Sequence, residues 1–482
     1  MTDIIEHTRL FIGGAWVESD GDRIIEVVSP YTEKLVGVVP EATTSDVDRA
    51  VAAARQAFDF GPWPLLPLAE RIAVVTRIKD LLTERAAGLA ELISRQNGAP
   101  TAAAMRVQVL SAVAAYGAAC AAAEHFSFEE QRPGLTGPVI VRHEPIGVVA
   151  AVVPWNVPQL TIAAKLAPAL LAGCTVVLKP APQTPLDAYV LAEICAEAGL
   201  PAGVLNVVPA GRDVSAYLVE HSDVDKIAFT GSVAAGKHIM AAASHNLTRI
   251  TLELGGKSAG IILDDADLDA AIPSLIAGAF ANSGQACVAI TRILAPDSRY
   301  DEIAERLAAG ISALKVGDPA DPDTAIGPMV TAQQQRRVLD YIRIGREEGA
   351  TVRTGGSVPT DPATGWFVQP TLLTDVDNTM RVAREEIFGP VVCLIRYDGE
   401  ADAIRIANDS EVGLAGSVWA GDLSHGIDIA RRIRTGTFSV NCQRFEVTAP
   451  FGGYKNSGIG REFGAEGLSA YLETKSVFLP AS

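Results

Sequence analysis

The sequence is short of features that would attach it to a membrane. It opens with MTDIIEHTRLFIGGAW, which lacks the basic start and following apolar stretch of a signal or transit peptide. No uninterrupted apolar run approaches the ~18 residues needed to span a bilayer. The Ala-rich stretch from Ala112 to Ala123 comes closest, but Tyr116 and Gly117 interrupt it. We therefore predict a buried helix there and no membrane partner.

Basic residues and paired cysteines are also scarce. Only 40 Lys and Arg oppose 57 Asp and Glu, and the net charge of −17 argues against a nucleic-acid partner, because little is available to neutralise phosphates. The six cysteines form no CxxC pair, and no histidine lies at metal-ligand spacing from them. These absences argue against a metal centre and a disulfide framework, and they predict a reducing cytoplasm.

What the sequence does contain is a long alternation of strand and helix patterns. With 482 residues, two or three domains are expected. From Ile146 to Leu254 the pattern predicts strands at 147–153, 175–179, 204–208, 226–229 and 249–254, with helices between them at 160–171, 185–199, 214–220 and 233–244. Such alternation predicts a parallel sheet covered on both faces. Ligands in these sheets bind beyond the carboxyl ends of the strands.

A second alternation follows Leu254, with strands predicted at 258–263 and 391–396 and helices at 268–283 and 400–408. The first third of the chain, to about residue 124, is largely helical after its opening strands. The predicted fold class is therefore α/β, with two doubly wound parallel-sheet domains that meet at a tight hinge near Leu254. A hinge between domains is a common place for a cleft.

Two side chains near that hinge could carry chemistry. Glu253 stands at a strand end before two glycines, where partial burial would raise its pKa and suit a general base; the alternative is a turn acid on the surface. Cys287 follows a helix that we expect to end at Gly284. A free cysteine is most often a buried core residue, and as a nucleophile Cys287 would need a partner from elsewhere in the fold.

Three further strand-end loops hold polar groups. Asn156 could donate a hydrogen bond to a developing oxyanion, or it could serve only the turn. The segment Phe229-Thr-Gly-Ser232 runs from a strand into a helix N-terminus, which suits a pyrophosphate, although it is not the G-x-G-x-x-G fingerprint. Lys179 could hold a ribose or a phosphate, or it could be solvated.

Taken together, these segments resemble the aldehyde dehydrogenase superfamily over essentially the whole chain. The resemblance is carried, in family order, by VVPWNVP, VLKPAPQTP, FTGSVAAG, LELGGKS, NSGQACVA, EEIFGPV and PFGGYKNSGIGRE. It implies a Rossmann-like dinucleotide-binding domain (1–124 and 144–254), a catalytic domain (255–465) and a small β oligomerisation element (125–143 and 466–482). The chain would then assemble as a homodimer or a homotetramer.

The resemblance also implies the oxidation of an aldehyde to a carboxylic acid. Cys287 would attack the carbonyl, Asn156 would hold the oxyanion, and hydride would pass to a nicotinamide. Glu253 would then activate water to hydrolyse the thioester. Glu462 matches a second family glutamate that relays protons, with Lys165 as its partner; a structural ion pair is the alternative.

The cofactor implied by the resemblance is NAD. Lys179 would bind the adenosine ribose, Ser232 and Trp155 the pyrophosphate, and Glu386 and Phe388 the nicotinamide ribose and ring. The other implied cofactor positions are Val153, Pro154, Gly211, Phe229, Gly231, Leu254 and Gly255. Pro182 stands where many NAD-preferring members carry a glutamate, so NADP is not excluded.

The implied substrate positions are Val157, Leu160, Ala164, Val288, Phe445 and Phe451. Several family aromatics are replaced by small residues, as at Val157 and Ala164, and this favours a bulkier or branched aldehyde. Two alternative activities are left open. A CoA-acylating dehydrogenase is one, although the presence of Glu253 argues for water as the acyl acceptor. A non-redox cysteine hydrolase is the other, and it would need a histidine beside Cys287.

Overall fold

The structure is a computed structural model that describes residues 4–480, and its first third is a set of short strands followed by long helices. The elements are β1 (Ile5–Glu6), β2 (Leu10–Ile12), β3 (Ala15–Val17), β4 (Ile24–Val28), β5 (Leu35–Pro40), α1 (Thr44–Asp59), α2 (Leu68–Glu84), α3 (Ala86–Asn97), α4 (Thr101–Ala103) and α5 (Ser111–His125). A π-helical segment, Ala104–Leu110, joins α4 to α5. Two strands follow: β6 (Glu129–Arg132) and β7 (Val139–Pro145).

The first predicted alternation is present element by element. It comprises β8 (Val148–Val152), α6 (Pro158–Ala172), β9 (Thr175–Lys179), α7 (Leu186–Glu197), β10 (Leu205–Val207), α8 (Arg212–Glu220), β11 (Lys226–Thr230), α9 (Val233–Ala243) and β12 (Arg249–Glu253). The boundaries agree with the sequence pattern to within about two residues, which is the usual uncertainty at element ends.

The second alternation is longer. It comprises β13 (Ser258–Ile262), α10 (Leu268–Phe280), β14 (Ile290–Pro296), α11 (Tyr300–Ser312), α12 (Ala332–Glu347), β15 (Thr351–Thr354), β16 (Thr371–Thr374), α13 (Arg381–Arg384), β17 (Val391–Tyr397), α14 (Gly399–Asn408), β18 (Val412–Gly413), β19 (Gly416–Trp419), α15 (Leu423–Ala430) and β20 (Ser439–Val440). The chain closes with β21 (Tyr454–Lys455), β22 (Gly458–Ile459), α16 (Gly464–Ser469) and β23 (Leu472–Phe478).

The first large sheet has the strand order β22–β12–β11–β8–β9–β10–β2–β3, and β8 to β12 run parallel. All five residues of β8 are buried, as expected of a strand covered on both faces. Helices α1, α8 and α9 cover one face, and α2, α5, α6 and α7 cover the other. Helix α6 begins with Pro158 and ends at Gly173, whose left-handed φ of 97° suits glycine.

The second large sheet has the order β15–β16–β17–β14–β13–β19–β20, and all of its strands except β15 are parallel. Two parallel sheets, each packed between helices, confirm the predicted fold class. The chain passes from the first sheet to the second between Glu253 and Ser258, where the hinge was expected.

The helix that leads to Cys287 was predicted wrongly at its end. It was expected to reach Ser283 and stop at Gly284, but α10 ends at Phe280. Asn282 and Ser283 have left-handed φ angles of 51° and 56°, which a right-handed helix cannot contain. The chain therefore turns sharply at Asn282 and Ser283, four to five residues before Cys287.

The Ala-rich stretch forms a helix, as predicted, but it is buried on one side only. By length and composition alone, the continuous helix Thr101–His125 could cross a membrane. It packs against α2, α6 and α16, and 33% of its most apolar window is buried. The buried residues of α5 are Ala112, Ala115, Tyr116, Cys120 and Ala123.

A separate three-stranded antiparallel sheet, in the order β23–β7–β6, is formed by the segments predicted as an oligomerisation element. Strand β7 pairs with β23 along its whole length, from Val139 opposite Phe478 to Pro145 opposite Leu472. It therefore runs past the predicted boundary at 143. Residues 481–482 of that predicted element lie outside the described residues, as do residues 1–3.

Candidate active site

Four neighbouring strands of the first sheet bring the predicted loops to one edge. Strands β12, β11, β8 and β9 lie side by side and parallel, so the segments that follow them emerge together. Thr230 is level with Glu253, and Val152 is level with Lys179. The loops that follow these strands, which were predicted to bind ligands, therefore lie in a row along one edge of the sheet, and the loop after β12 is the passage to the second sheet.

Cys287 follows the tight turn after α10, and that turn is fixed by its own side chains. Ser283 Oγ accepts a hydrogen bond from the Gly327 backbone N–H at 2.9 Å. Gln285 Oε1 accepts one from the Val330 backbone N–H at 3.0 Å. These bonds anchor the residues just before Cys287 to the segment 327–330.

The surroundings of Cys287 separate it from most of the other thiols. It is half-buried, as is Cys442, whereas the remaining four cysteines are buried. Burial and, after it, the carboxylates of Glu386 and Glu253 together raise the pKa of the Cys287 thiol to about 12. The site is acidic rather than electropositive, so the thiol is protonated at neutral pH in the free protein.

The Asn156 side chain is buried beside the same turn. Its Nδ2 donates to the Gln285 carbonyl at 2.9 Å, which uses one of its two N–H groups. The backbone carbonyl of Asn156 accepts hydrogen bonds from Asn97 Nδ2 at 3.2 Å and from Asn282 Nδ2 at 3.0 Å. The sequence analysis identified neither of these two donors. Asn282 lies within the motif NSGQACVA, which could have pointed to it. Asn97 lies far away along the chain and belongs to no motif.

Glu253 ends β12 and is 2% exposed. Among residues 4–480, neither of its carboxylate oxygens has a hydrogen-bond partner. Burial raises the pKa of Glu253 well above its ordinary value, and the Glu462 carboxylate raises it further. A Cβ at Gly452 would lie 2.6 Å from Glu253 Oε1, so this close approach requires glycine. The alternative of a solvated turn acid is therefore wrong.

A buried ion pair adjoins Glu253. Lys165 Nζ donates to Glu462 Oε1 at 2.6 Å and to Thr230 Oγ1 at 2.6 Å. Thr230 is the register partner of Glu253, and both Lys165 and Glu462 act on the Glu253 pKa. The structure thus brings Lys165 and Glu462 together with Glu253. It also adds Thr230, which the sequence analysis did not single out, although it lies in the motif FTGS.

One wall of the site is formed by the segment EEIFGP. Glu386 Oε1 accepts a hydrogen bond from the Gly256 backbone N–H at 3.1 Å, and a Cβ at Gly255 would collide with the Glu386 carboxylate. Phe388 has a left-handed φ of 62°, a costly conformation for a residue with a side chain. Its ring packs edge-on against Trp155, with centroids 5.3 Å apart.

The other predicted cofactor positions follow the row of loops. Lys179 is buried, which excludes the solvated alternative, and burial lowers its pKa to about 8. Ser232 caps α9 by accepting a hydrogen bond from the Ala235 backbone N–H at 3.3 Å, so FTGS does open a helix. Pro182 is half-buried in the loop after β9. The predicted positions in or beside the other strand ends are Val153, Pro154, Phe229, Gly231 and Leu254.

Gly211 is the cofactor position most distant from the hinge in the sheet order. It caps α8 after β10, which three strands separate from β12. Its backbone N–H donates to Glu41 Oε1 at 3.0 Å.

The predicted substrate positions form an apolar wall. Leu160, Ala164, Phe451 and Val288 belong to the cluster that also contains Cys287, and Val157 immediately precedes α6. Phe445 is 42% exposed at the rim. The rings of Phe445 and Phe451 lie 5.3 Å apart, and both pack against Phe463 at 5.6 Å and 6.4 Å. Phe463 was not predicted, although it follows Glu462 directly.

Within residues 4–480, no group of three His, Cys, Asp or Glu side chains is arranged to hold a metal ion. Residues 16–477 match the model of the aldehyde dehydrogenase family. The chain belongs to that family.

Known members are similar over their full length. Geranial dehydrogenase of Castellaniella defragrans is 48% identical over 476 residues, which cover 98% of this chain and 99% of that protein. A Mycobacterium tuberculosis aldehyde dehydrogenase solved with NAD+ is 50% identical, with a TM-score of 0.98 and 99% of each chain covered. A Cys-to-Ala variant of Pseudomonas syringae aldehyde dehydrogenase C, solved with NAD+ and octanal, is 41% identical, with a TM-score of 0.96 and 98% of each chain covered.

Membership confirms the activity predicted from the sequence. The chain is an NAD(P)-dependent aldehyde dehydrogenase, which oxidises an aldehyde to a carboxylic acid. The alternative of a non-redox cysteine hydrolase is therefore set aside.

Proposed function

We propose that this aldehyde dehydrogenase forms a thioester on Cys287 and hydrolyses it with water activated by Glu253, using NAD and a bulky apolar aldehyde. The observation that carries the proposal is Glu253, a buried carboxylate without a hydrogen-bond partner among residues 4–480, whose pKa is raised. A general base is most effective when its pKa lies near the working pH, and burial moves Glu253 in that direction.

The residues at the strand ends fit a dinucleotide. Lys179 is a buried cation with no ion pair or hydrogen bond to its ammonium among residues 4–480, and ribose hydroxyls would satisfy it. The N-terminus of α9 suits a pyrophosphate, and the Glu386 carboxylate can accept a hydrogen bond from a ribose hydroxyl. When bound, NAD+ would supply a positive charge and would accept the hydride that leaves the aldehyde carbon, which turns the thiohemiacetal on Cys287 into a thioester. Solved relatives hold NAD+.

The acylation half of the reaction begins at the Cys287 sulfur. The pKa of this thiol is high in the free protein, and the positive charge of bound NAD+ would lower it, so that the proton could leave to solvent water. The sulfur then bonds to the carbonyl carbon, and the π electron pair moves onto oxygen. The second Asn156 N–H and the Cys287 backbone N–H would hold this oxyanion; one such donor is typically worth about 3 kcal/mol.

The deacylation half belongs to Glu253. Its carboxylate would take a proton from water, the water oxygen would bond to the thioester carbon, and the C–S bond would break to return the Cys287 thiolate. The Lys165–Glu462 pair, which adjoins Glu253, would then carry the proton away. The pair is a candidate relay because it is buried and directly bonded through Nζ and Oε1.

The proposal is tested by NADH formation across aliphatic, aromatic, amino and acidic aldehydes, with and without CoA. We expect NADH and free carboxylic acid without CoA. Strict dependence on CoA would support the acylating alternative and overturn the role given to Glu253.

Replacing Pro182 with glutamate should change the choice of cofactor. A carboxylate there would repel a 2′-phosphate, and like charges placed in contact cost several kcal/mol. We expect Pro182→Glu to lower kcat/KM for NADP by at least about 10-fold while NAD changes little. Pro182→Gln is the uncharged control. Equal losses with both cofactors, or the same effect from glutamine, would contradict the prediction.

Removing the Asn97 side chain, which holds the Asn156 backbone but is not proposed to contact the substrate, should weaken the proposed oxyanion site. Asn97→Ala deletes one of two hydrogen bonds to the Asn156 carbonyl, and we expect the rate of the NADH burst to fall about 10-fold. Gln108→Ala is the control, because Gln108 Oε1 accepts a hydrogen bond from Asn97 Nδ2 at 3.4 Å and, within residues 4–480, makes none to Asn156. In an Asn156→Ala background, Asn97→Ala should have no further effect. Additive losses would instead mean a purely structural role.

The small side chains at Val157 and Ala164 support a bulky apolar aldehyde as substrate. Ala164 is buried in the apolar cluster that contains Cys287, so a methyl side chain there leaves room beside the reacting atoms. The 48% identity to geranial dehydrogenase points to the same class, a branched unsaturated aldehyde.

We also infer that the enzyme is a homodimer or homotetramer of the cytoplasm. Strands β6 and β23 are the two edges of the three-stranded antiparallel sheet, and Phe478 on β23 is 79% exposed. Bare edge strands invite uncontrolled pairing, and a second subunit would cover them. All six cysteines are free thiols, which supports a reducing compartment.

A further inference from the structure

We propose that the buried carboxylate of Asp187 is a positioning residue for acylation: by holding Gln96 and Gln159, it keeps the loop that carries Asn156 in place. This inference rests on the proposed role of Asn156 at the oxyanion and deepens it. Asp187 is not one of the site residues predicted from the sequence. Its role is exercised through other side chains and involves no contact with the aldehyde.

Asp187 joins three helices through its two carboxylate oxygens. It lies in the first turn of α7 and is 0% exposed. Its Oδ1 accepts a hydrogen bond from Gln96 Nε2 at 2.6 Å, and its Oδ2 accepts one from Gln159 Nε2 at 2.6 Å. Gln96 belongs to α3 and Gln159 to α6, and both are buried. The carboxylate is therefore the point at which α3, α6 and α7 are tied together.

The orientation of both glutamine side chains is set by the start of α7. Gln96 Oε1 accepts a hydrogen bond from the Leu186 backbone N–H at 3.1 Å. Gln159 Nε2 donates a second bond, to the Asp187 carbonyl, at 3.0 Å. Gln159 Oε1 has no hydrogen-bond partner among residues 4–480. The two amide groups are thus held by residues 186–187.

The two glutamines lie next to both supports of the Asn156 loop. Gln159 follows Asn156 by three residues, in the first turn of α6. Gln96 immediately precedes Asn97, whose Nδ2 donates to the backbone carbonyl of Asn156 at 3.2 Å. A displaced Asp187 carboxylate would therefore disturb the Asn156 backbone from both directions. A misplacement of about 1 Å at a reacting group can cost about 10²-fold in rate, so a small displacement is enough.

The Asp187 carboxylate contributes through the direction of its bonds. Burial raises the pKa of Asp187 to about 6, against hydrogen bonds from Gln159 and Gln96 that lower it. The group is therefore ionised at neutral pH and offers both oxygens as acceptors to amide N–H groups. Burying this charge costs folding free energy that an apolar side chain would not cost. What the charge provides is a fixed geometry for the two amides.

The test is the rate of the NADH burst in Asp187→Ala, measured beside the Kd for NAD. Alanine leaves two buried amide groups without their acceptor, so the glutamines shift. We expect the burst rate to fall at least about 10-fold, while the Kd for NAD stays within about threefold. In an Asn156→Ala background, Asp187→Ala should change the burst rate less than about twofold, because the group that it positions is already gone.

The conservative variant Asp187→Asn should restore the burst rate to within about threefold of that of the unmodified enzyme. Its carbonyl oxygen can still accept from Gln96, and its amide can donate to Gln159 Oε1 once that side chain turns over. Asp46→Ala is the matched control. Asp46 is another carboxylate with 0% exposure, but it caps α1, on the opposite face of the first sheet. Its loss should lower the Tm and leave the burst rate unchanged.

Should Asp187→Ala fail to fold, Gln159→Ala removes half of the same support and should lower the burst rate at least about threefold. The proposal would be overturned by an unchanged burst rate in Asp187→Ala, by equal losses of burst rate and NAD affinity, or by an undiminished loss in the Asn156→Ala background. A burst that Asp187→Asn does not restore would also overturn it. Absence of an acyl adduct on Cys287 in the unmodified enzyme would instead overturn the proposed function.

Discussion

The Cys287→Ser enzyme is expected to form no measurable NADH from any aldehyde, a loss of about 10⁴-fold or more in kcat. Burial and the neighbouring carboxylates already raise the pKa of the thiol at position 287 to about 12. A serine hydroxyl is far less acidic than a thiol, so its ionised form would be negligible there. Without the covalent bond, the aldehyde carbon stays trigonal and is a poor hydride donor.

Binding of the cofactor should survive the same substitution. The proposed contacts with NAD come from Lys179, Ser232 and Glu386, and serine at position 287 alters none of them. Titration calorimetry with NAD should therefore give a Kd within about threefold of that of the unmodified enzyme. Cys442→Ser is the control, because Cys442 is the other half-buried thiol, and it should keep full activity. Near-normal turnover in Cys287→Ser, or loss of activity in Cys442→Ser, would refute the assignment.

The sheet that positions the site was readable from the sequence because its strands are local patterns. Val148–Val152 is a short apolar run between turn residues, and Gly173 stops the next helix by its left-handed φ. The end of α10 was not readable, because Asn282 and Ser283 adopt positive φ without the glycine that usually signals it. Their conformation is held by distant bonds, such as Ser283 with Gly327, and such bonds leave no local pattern.

The reactive side chains were predicted through their motifs, but their environment was not. The sequence predicted that Glu253 could have a raised pKa. It did not predict that the carboxylate of Glu386, about 100 residues away along the chain, raises the pKa of Cys287. Asn97 was missed for the same reason, since only folding brings it to the Asn156 carbonyl. Contacts that depend on the meeting of separate elements require the three-dimensional structure.

The Glu253→Gln enzyme is expected to keep its NADH burst and to lose steady-state turnover by about 10²- to 10⁴-fold, the usual contribution of a general base. Glutamine cannot accept a proton from water, so the thioester on Cys287 accumulates. Acylation should persist, because the Glu253 carboxylate raises the Cys287 pKa and its removal makes the thiol easier to ionise. Stopped-flow absorbance should show the burst, and mass spectrometry should show the acyl adduct on Cys287. A lost burst with no adduct would mean that Glu253 acts in acylation instead.

Because Glu253 is the proposed base, the deacylation rate of the unmodified enzyme should fall at low pH, which gives its pH profile an acid limb. Glu253 works only when ionised, and burial together with Glu462 raises its pKa, so deacylation should increase as pH rises through a range above that of an ordinary glutamate. Glu462→Gln removes the carboxylate that raises this pKa and leaves Lys165, whose charge lowers it. The acid limb should therefore move to lower pH in Glu462→Gln and disappear in Glu253→Gln. A limb that stays in place in Glu462→Gln would show that these two carboxylates are not coupled in the working enzyme.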